Sequence, residues 1–534
     1  MNKKKVAFCF LGLCLLILIV YLFIPPTPET RDDTFAAYIL GNGFPLATLK
    51  LTYFDDGFLF YEKLFAWLYL HFNGINWLTL FYLLIHLISG TIICSLMICR
   101  KNHILIIFPV LVYLFLFFIP LITQISYTAV AAHGIIAGFY LSYVLIRQGK
   151  KPTTGILLLL FMIFVSCAGL RVQVIFPLGI IFIPILFLIR DSEILKRWIL
   201  LFSLVATGLL LGVMVHERNY EKNIPGWTKI KSTSHLFYRL QNYGYDTSLI
   251  RNQSTAFKRV AYESVENNFL FDDTIMDPHV LEQMKVDTKI ETRFNMPALA
   301  WVLTDIKQYL ILIFIGLILL MLTDIPIRTK KVILLSGAIT LSLLTFFLFR
   351  MKLPGRIWLP SFLLLFLLVF HPLPEALFIA RRLRNKLLVL GAVFLIPMQA
   401  VAIFTIAKEN KLNTSLFLEA YQVVKKNPDA LFLEYRGSFP FNYFPLLNTP
   451  ASYPFRNVLF PFFLNTELRS RTLLQFGMTG IKNGLEHTKK IILIGDPDPF
   501  LKNYFTLIYH QKIQFRRFNN NKNEIHLFRM SVLP

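Results

Sequence analysis

The sequence is dominated by long apolar runs, each of which is long enough to cross a lipid bilayer as a helix. Such a helix needs about 20 mostly apolar residues, and about eleven runs meet this need. Of the 534 residues, 55% are hydrophobic and 16% are charged, whereas soluble domains carry about 25% charged residues. We therefore predict a mainly α-helical, polytopic membrane protein. The predicted spans are residues 6–24, 77–99, 104–123, 127–146, 153–169, 173–189, 197–215, 307–324, 332–349, 357–371 and 387–406.

The basic residues between these runs predict the orientation of the chain. Lys and Arg are retained on the cytoplasmic side of the membrane. With the N-terminus inside and the C-terminus outside, every inner connection is basic, and these connections account for much of the formal net charge of +23. Nucleic-acid binding is not expected, because the basic residues form short clusters between apolar runs. The inner clusters are 3–5, 100–101, 147–151, 190–197, 328–331 and 381–386.

One apolar stretch, Phe58 to Asn73, is not counted as a span. Glu62 and Lys63 interrupt it, and counting it would reverse the basic-flank pattern downstream. We interpret it as an amphipathic helix in the outer interface, with Trp67 and Tyr69 as interfacial side chains. The alternative is a short transmembrane hairpin.

Two further outer regions are too long to be simple connections. Residues 216–305 form a large outer loop within a transmembrane domain that spans residues 1–406. Residues 407–534 are predicted to form a C-terminal extracytoplasmic, or periplasmic, α/β domain, because short apolar strands alternate with helical segments. Its predicted strands are 430–435, 490–495, 512–518 and 524–530, and its predicted helices are 466–476 and 499–510.

A pair of acids follows the first span, in the stretch Glu29 to Phe35. Asp32 and Asp33 are expected to lie close to the membrane surface on the outer side. A carboxylate held there can act as a general base toward a sugar hydroxyl. The alternative interpretation of an isolated Asp-Asp pair is a solvated acidic turn.

Two outer arginines are candidate partners for a phosphate group. Arg171 lies between two predicted helix ends, and Arg356 lies between two prolines that fix the backbone. A guanidinium group stays charged and can donate two parallel hydrogen bonds to a phosphate. The alternative for Arg171 is a helix-end side chain that reaches toward lipid headgroups.

Four weaker candidates complete the set of outer polar residues. Lys352 is close to Arg356 and is a helper in phosphate binding or an interfacial anchor. His133 begins the fourth span, where a helix-to-helix hydrogen bond is the alternative to substrate binding. Asp55 and Asp56 precede the interfacial helix, where they could orient a sugar, bind a metal or cap the helix.

The order of these motifs resembles that of the GT-C superfamily of polytopic membrane glycosyltransferases, which use polyprenyl-phosphate-linked donors. The chain is most similar to members from bacterial surface-polysaccharide clusters. The resemblance rests on Thr30-Arg-Asp-Asp-Thr-Phe35, Gly74-Ile-Asn-Trp77, Leu170-Arg171 and Pro354-Gly-Arg-Ile-Trp-Leu-Pro360. Thr34 departs from the group's pattern, since it separates the acid pair from Phe35.

The resemblance implies a glycosyltransferase in a bacterial inner membrane, with a polyprenyl-phosphate sugar as donor and a glycan or lipid as acceptor. It assigns the catalytic acid to Asp32 or Asp33 and the phosphate contacts to Arg171 and Arg356. No second acidic metal motif is found, so a divalent cation (Mg²⁺ or Mn²⁺) stays open as a cofactor. These acids and arginines are expected to meet in one pocket at the outer membrane boundary.

Two other functions fit the same sequence. A polysaccharide polymerase or ligase also joins glycans on the outer face and uses outer arginines. A non-enzymatic transporter of lipid-linked glycans would need polar residues along a path through the spans, and such residues are sparse here.

Overall fold

The computed structural model describes most of the chain, and it is mainly helical. The described residues are 3–44, 59–98, 104–242, 245–246, 255–267, 269, 271, 275, 277–287, 289–290, 296–350, 355–375, 381–461, 466–487, 490–518 and 525–533.

The chain up to residue 223 contains ten helices within the described residues. A π-helical segment, Tyr113–Phe118, joins the fifth helix to the sixth. The helices are α1 (Lys3–Phe23), α2 (Arg31–Leu40), α3 (Leu59–His71), α4 (Trp77–Ile98), α5 (Ile104–Val112), α6 (Ile119–Thr123), α7 (Tyr127–Arg147), α8 (Thr154–Ala168), α9 (Ile175–Leu186) and α10 (Ser192–Asn223).

The chain after residue 223 contains ten more described helices and most of the strands. The helices are α11 (Trp227–Asn242), α12 (Ala256–Glu266), α13 (Pro278–Asp287), α14 (Met296–Met321), α15 (Ile327–Arg350), α16 (Gly355–Phe370), α17 (Arg381–Lys426), α18 (Thr466–Gln475), α19 (Ile481–Glu486) and α20 (Pro499–Ile508). The strands are β1 (Thr27–Pro28), β2 (Gln124–Ile125), β3 (Tyr245–Asp246), β4 (Lys289–Ile290), β5 (Leu431–Glu434), β6 (Val458–Leu459), β7 (Ile491–Ile494), β8 (Ile513–Arg517) and β9 (Leu527–Val532).

All eleven predicted runs fall on apolar helices. By length and composition, six helices within the described residues can cross a membrane: α1, α4, α7, α10, α15 and α17. Helices α8 and α9 are bent by 118° and make a seventh if they form one broken span. Three other apolar segments are shorter: Ile107–Thr123, Ile306–Met321 and Gly355–Phe370. The chain thus has several membrane-spanning helices, while the count of eleven and the orientation stay predictions.

Helix α7 is the central helix of the apolar region, and it packs against α4, α8 and α16. Small residues permit this close packing. A Cβ atom at Gly134 would lie 2.2 Å from the sulfur of Cys167, and one at Gly138 would lie 2.9 Å from the ring of Phe164. Small residues at helix interfaces let backbones approach in this way. The central position of α7 fixes where its N-terminal residue Tyr127 lies.

The predicted interfacial helix forms as α3, residues Leu59–His71. Phe65 and Tyr69 on one face are buried against the protein. The prediction that Tyr69 is an interfacial side chain is therefore wrong, because its hydroxyl bonds to Asn76 inside the protein. Phe60, Trp67 and Leu70 point outward and are exposed. An outward apolar face with a Trp is suited to contact lipid, so the interfacial interpretation is kept as a prediction.

The turn between α3 and α4 is fastened to the C-terminal tail by Asn76. Its side-chain amide donates to the carbonyl oxygens of Leu446 at 3.0 Å and Asn448 at 3.2 Å. Its Oδ1 accepts from the Tyr69 hydroxyl at 2.7 Å and from the Thr79 amide at 3.3 Å. The Asn-Trp motif therefore has a structural role, in which the buried amide joins two distant parts of the chain.

The tail contains a five-stranded sheet with the order β6-β5-β7-β9-β8. β5 is parallel to both β6 and β7, and β9 is antiparallel to β7 and β8. The four predicted strands and both predicted helices are present. The chain enters this sheet from α17, which runs without a break through the predicted domain boundary at residues 406 and 407.

Part of the large outer loop packs on the tail. Phe269 contacts the rings of Tyr435 and Tyr504, with centroids 5.8 Å and 4.8 Å away. Arg436 donates to Oδ1 of Asn267. Buried residues of α11, α12 and α13 share one core with β5 and β7. The loop and the tail therefore form a single packed region.

We expect Asn76→Ala to destabilise the protein by about 1–3 kcal/mol, because the buried Leu446 carbonyl loses its donor and the buried Tyr69 hydroxyl loses its acceptor. Thermal unfolding in detergent measures this change. Asn223→Ala is the matched control, since Asn223 is exposed and bonds only to Asn219 within its own helix among the described residues. Equal unfolding temperatures for both variants would contradict the role of Asn76.

Candidate active site

The backbone after the first helix is held against the start of α7. Strands β1 and β2 form a short parallel pair, in which Thr27 lies opposite Gln124. The Glu29 amide then donates to the carbonyl of Ile125 at 2.9 Å. The Ser126 hydroxyl donates to Oε2 of Glu29 at 2.7 Å. These contacts bring the acidic stretch to the N-terminal end of the central helix.

The acidic stretch is helical: Arg31, Asp32 and Asp33 form the first turn of α2. The sequence predicted no helix for these residues, and its alternative interpretation was a solvated turn. Thr30 occupies the N-cap position with extended backbone, and acids in a first turn are favoured by the helix dipole. The helix is short, at 10 residues, so its stability depends on tertiary contacts.

Asp33 is buried, and each of its carboxylate oxygens accepts a hydrogen bond. One oxygen accepts the backbone N–H of Tyr127 at 2.8 Å, and the other accepts the Thr30 hydroxyl at 2.7 Å. Tyr127 is the first residue of α7, and its N–H is among those that have no partner inside the helix. Asp33 thereby joins the two helices.

Burial raises the pKa of Asp33 to about 7. The hydrogen bonds from Thr30 and Tyr127 oppose this rise, and the nearby charges of Asp32 and Glu29 add to it. The Asp33 carboxyl therefore has a pKa near neutral pH. Both of its oxygens already accept hydrogen bonds that connect parts of the structure.

Asp32 has a different environment. Its side chain is partly exposed and makes no hydrogen bond within the part of the chain that the structure describes. Burial raises the pKa of its carboxyl, and the positive charges of Arg356, Arg171 and Arg31 lower it. The guanidinium groups of Arg171 and Arg356, which are distant in the sequence, and that of the neighbouring Arg31 therefore all act on one carboxylate.

Arg171 is positioned by the start of α7. It precedes a 3₁₀ turn, Val172–Val174, between α8 and α9. Its Nη1 donates to the Tyr127 hydroxyl and, at 3.3 Å, to Oγ1 of Thr128. The guanidinium also stacks over the Tyr127 ring, 5.0 Å from the centroid. The same residue thus contacts Asp33 through its amide and Arg171 through its side chain.

Arg356 reaches the cluster from the first turn of α16. Its Nη1 lies 3.9 Å from Oε1 of Glu29, and its side chain is 30% exposed. Burial raises the pKa of Glu29, while the Ser126 hydrogen bond and the Arg356 charge lower it. Glu29 thus helps to hold a cation that also acts on Asp32.

The structure brings together Asp32, Asp33, Arg171 and Arg356, as a shared pocket requires. It does not bring His133 to them. His133 is buried within α7, where it bonds to His86 at 2.9 Å and to the Tyr113 hydroxyl at 2.8 Å. This is the helix-to-helix alternative considered for His133. Lys352, Asp55 and Asp56 lie outside the described residues.

Glu29, Arg31 and Tyr127 also belong to the cluster, although the sequence did not single them out as site residues. Glu29 and Arg31 belong to the acidic motif and carry charges of their own, so their position was an available signal. Tyr127 participates through its backbone and its ring, and no sequence pattern reports such a contact. Within the described residues, no group of three His, Cys, Asp or Glu is arranged to hold a metal ion.

Chemically, the cluster offers one proton acceptor and two cations at the ends of apolar helices. A partly exposed carboxylate can take a proton from a bound hydroxyl. Guanidinium groups can stabilise negative charge that develops on a phosphate. Asp33 contributes by fixing the geometry.

We expect Asp33→Ala to cost about 1–3 kcal/mol of stability, because the buried Tyr127 N–H loses its acceptor. Asp33→Asn should fold with little loss, since its amide oxygen can accept from Tyr127 and its amide group can donate to Thr30. Thermal unfolding of both variants in detergent checks this difference. A loss for Asn as large as that for Ala would argue against the assigned hydrogen bonds.

No family model and no curated protein matches the chain. Among solved structures, the crystal structure of ArnT from Cupriavidus metallidurans in the apo state is similar, with a TM-score of 0.42 and 12% sequence identity. The similarity covers 99% of this chain and 98% of that chain. Similarity at this level does not establish a shared fold or activity.

Proposed function

We propose that the protein is a membrane glycosyltransferase that uses a polyprenyl-phosphate-linked sugar as donor and a glycan or lipid hydroxyl as acceptor. The supporting observation is that the accessible carboxylate of Asp32 lies within electrostatic range of both Arg171 and Arg356. Each arginine stands at the end of an apolar helix. Cations at the ends of membrane helices are in a position to bind the phosphate of a lipid at the membrane surface.

In the proposed reaction, Asp32 is the general base. Its carboxylate takes the proton of the acceptor hydroxyl while the hydroxyl oxygen attacks the anomeric carbon of the donor sugar. The bond between that carbon and the phosphate oxygen breaks, and the polyprenyl phosphate leaves with the bonding electrons. Arg171 and Arg356 stabilise the charge that develops on the leaving phosphate.

The different surroundings of the two acids support this division of roles. Burial raises the pKa of Asp32, which makes its carboxylate a stronger base. The surrounding guanidinium charges oppose this rise and favour the deprotonated form. Asp33 is less suited to be the base, because both of its oxygens already accept structural hydrogen bonds.

Helix α9 offers a surface for the lipid tail of the donor. It follows Arg171 after one short turn. Phe176, Ile180 and Ile183 on this helix are large, apolar and exposed. Residues spaced by three or four positions share one helix face, so they form an apolar stripe that leads away from Arg171. A prenyl chain on this stripe would place its phosphate beside the guanidinium.

We expect Asp32→Asn to reduce transfer by about 10²–10⁴-fold, which is the usual contribution of a general base. Asn preserves the shape of the side chain but cannot take the proton. The assay measures the transfer of radiolabelled sugar from polyprenyl-phosphate hexoses and pentoses to membrane lipids and glycans. Unchanged transfer by Asp32→Asn would refute the assignment. A ladder of products would indicate a polymerase instead of a transferase that adds one residue.

The same assay tests the two arginines. Arg171→Gln and Arg356→Gln should each reduce transfer by about 10²–10³-fold, as expected when a donor to developing negative charge is removed. Lys490→Gln is a suitable control, because Lys490 pairs with Asp429 in the tail, away from this cluster. A loss for the control as large as that for Arg171→Gln would indicate a general effect of charge removal.

The pH dependence of transfer supplies a further prediction. A general base must be deprotonated, so activity should rise with pH through the pKa of Asp32. Burial raises this pKa, and the Arg356 charge is the largest influence that lowers it. Arg356→Gln should therefore move the rising limb of the residual activity to higher pH. A limb that stays in place or moves to lower pH would contradict the proposed pairing of Asp32 and Arg356.

A further inference from the structure

An ion pair joins the first turn of α2 to the sheet of the tail. Arg31 Nη1 donates to Oε1 of Glu434 at 2.8 Å, and Nη2 donates to the carbonyl of Phe439 at 3.2 Å. Glu434 is the last residue of β5, and its side chain is 0% exposed. The two residues are 403 positions apart in the chain. The guanidinium is thus held at two points, by the last residue of β5 and by the segment that follows this strand.

The backbone of the tail is shaped around this guanidinium. Gly437 has a φ of +74°, a conformation that favours glycine. A Cβ atom at this position would lie 2.6 Å from Nη2 of Arg31. Burial raises the pKa of Glu434, and the Arg31 charge is the first of the influences that lower it. The pocket therefore fits Arg31 in both shape and charge.

The position of Arg31 next to Asp32 in the first turn of α2 relates the ion pair to the direction of the Asp32 side chain. Successive residues of an α-helix project about 100° apart around its axis. Arg31 and Asp33 therefore project about 100° to either side of Asp32. Arg31 is bound to the tail sheet, and Asp33 is bound to the start of α7. Two directional contacts to different parts of the protein fix how α2 is turned about its axis.

Aromatic packing holds the rest of α2 against the tail. Phe35 and Tyr38 pack on Phe441, with ring centroids 4.9 Å and 4.8 Å apart. This packing fixes the body of the helix, whereas Asp32 lies in the first turn, between the two residues that make the polar contacts. These polar contacts therefore act directly on the orientation of the turn that carries Asp32.

We propose that Arg31 is a positioning residue, and that its ion pair with Glu434 aims Asp32 at Arg171 and Arg356. The tail sheet then contributes to the reaction indirectly, because Glu434 holds Arg31 and thereby sets the direction of the Asp32 side chain. This inference rests on the proposed function for its catalytic meaning, while the orientation of residue 32 can be tested independently.

The test measures the orientation of position 32 with a cysteine. In Asp32→Cys, the thiol should face the guanidinium groups of Arg171 and Arg356. A negatively charged methanethiosulfonate reagent should then label it roughly tenfold faster than a positively charged one, since local charge concentrates ions of opposite sign. Labelling of the protein that retains Asp32 gives the background from the native cysteines.

The decisive variant is Asp32→Cys with Glu434→Gln. It keeps the positive charge of Arg31 but removes its ionic partner, so the preference for the negative reagent should fall at least about threefold toward equal labelling. The matched control is Asp32→Cys with Asp429→Asn, which breaks the 3.2 Å ion pair between Asp429 and Lys490. Asp429 precedes β5, at the opposite end of this strand from Glu434. The control should keep the preference.

An unchanged preference in the Glu434→Gln variant would overturn the inference. If this variant does not accumulate in membranes, Arg31→Lys in the Asp32→Cys protein replaces it, because Lys keeps the charge but lacks the two-pronged contact. A preserved preference there would overturn the inference in the same way.

Transfer assays separate this inference from the proposed function. With Asp32 in place, Glu434→Gln should lower the turnover rate about tenfold or more and leave the KM for the polyprenyl-phosphate sugar within about twofold, since misplacement of a catalytic group affects rate more than binding. If labelling changes as expected but the protein transfers no sugar, the orientation holds and the glycosyltransferase proposal fails. Normal transfer by Glu434→Gln would overturn the positioning role alone.

Discussion

The bond between the Asp33 carboxylate and the Tyr127 amide is the contact on which the rest of the site depends. It connects a helix of 10 residues, too short to be stable by itself, to the start of the most buried helix of the apolar region. The same tyrosine places Arg171 through its hydroxyl and ring. One residue at a helix start therefore sets the positions of an acid and a cation.

Some of the helices and strands could be predicted from the sequence, and others could not, for physical reasons. The apolar helices were predictable because length and hydrophobicity are local properties of each run. The strands around residues 431–434 and 491–494 were recognisable from their apolar pattern. Strand β6 was missed because it has only two residues. Helix α2 was missed because tertiary contacts, and not its own composition, stabilise it.

Some features of the candidate site could likewise be predicted from the sequence, and others could not. Asp32, Asp33, Arg171 and Arg356 were proposed together because each lies beside a predicted helix end on one side of the membrane. The distinct environments of the two acids could not be foreseen, since they depend on the Tyr127 amide and on burial. The Arg31–Glu434 pair leaves no local pattern, because its members are 403 residues apart. His133 was grouped with the outer residues from its place in the sequence, whereas the structure pairs it with His86 inside the helices.

The continuity of α17 has a consequence for how this protein can vary. Its 46 residues, which include Pro397, correspond to a helix about 70 Å long that continues from the apolar region into the tail. The tail also shares buried aromatic side chains with α2. The tail is therefore not an interchangeable module. A chimera that exchanges the last hundred residues for those of another protein would have to exchange α2 as well, and evolution of the two segments is bound to be concerted.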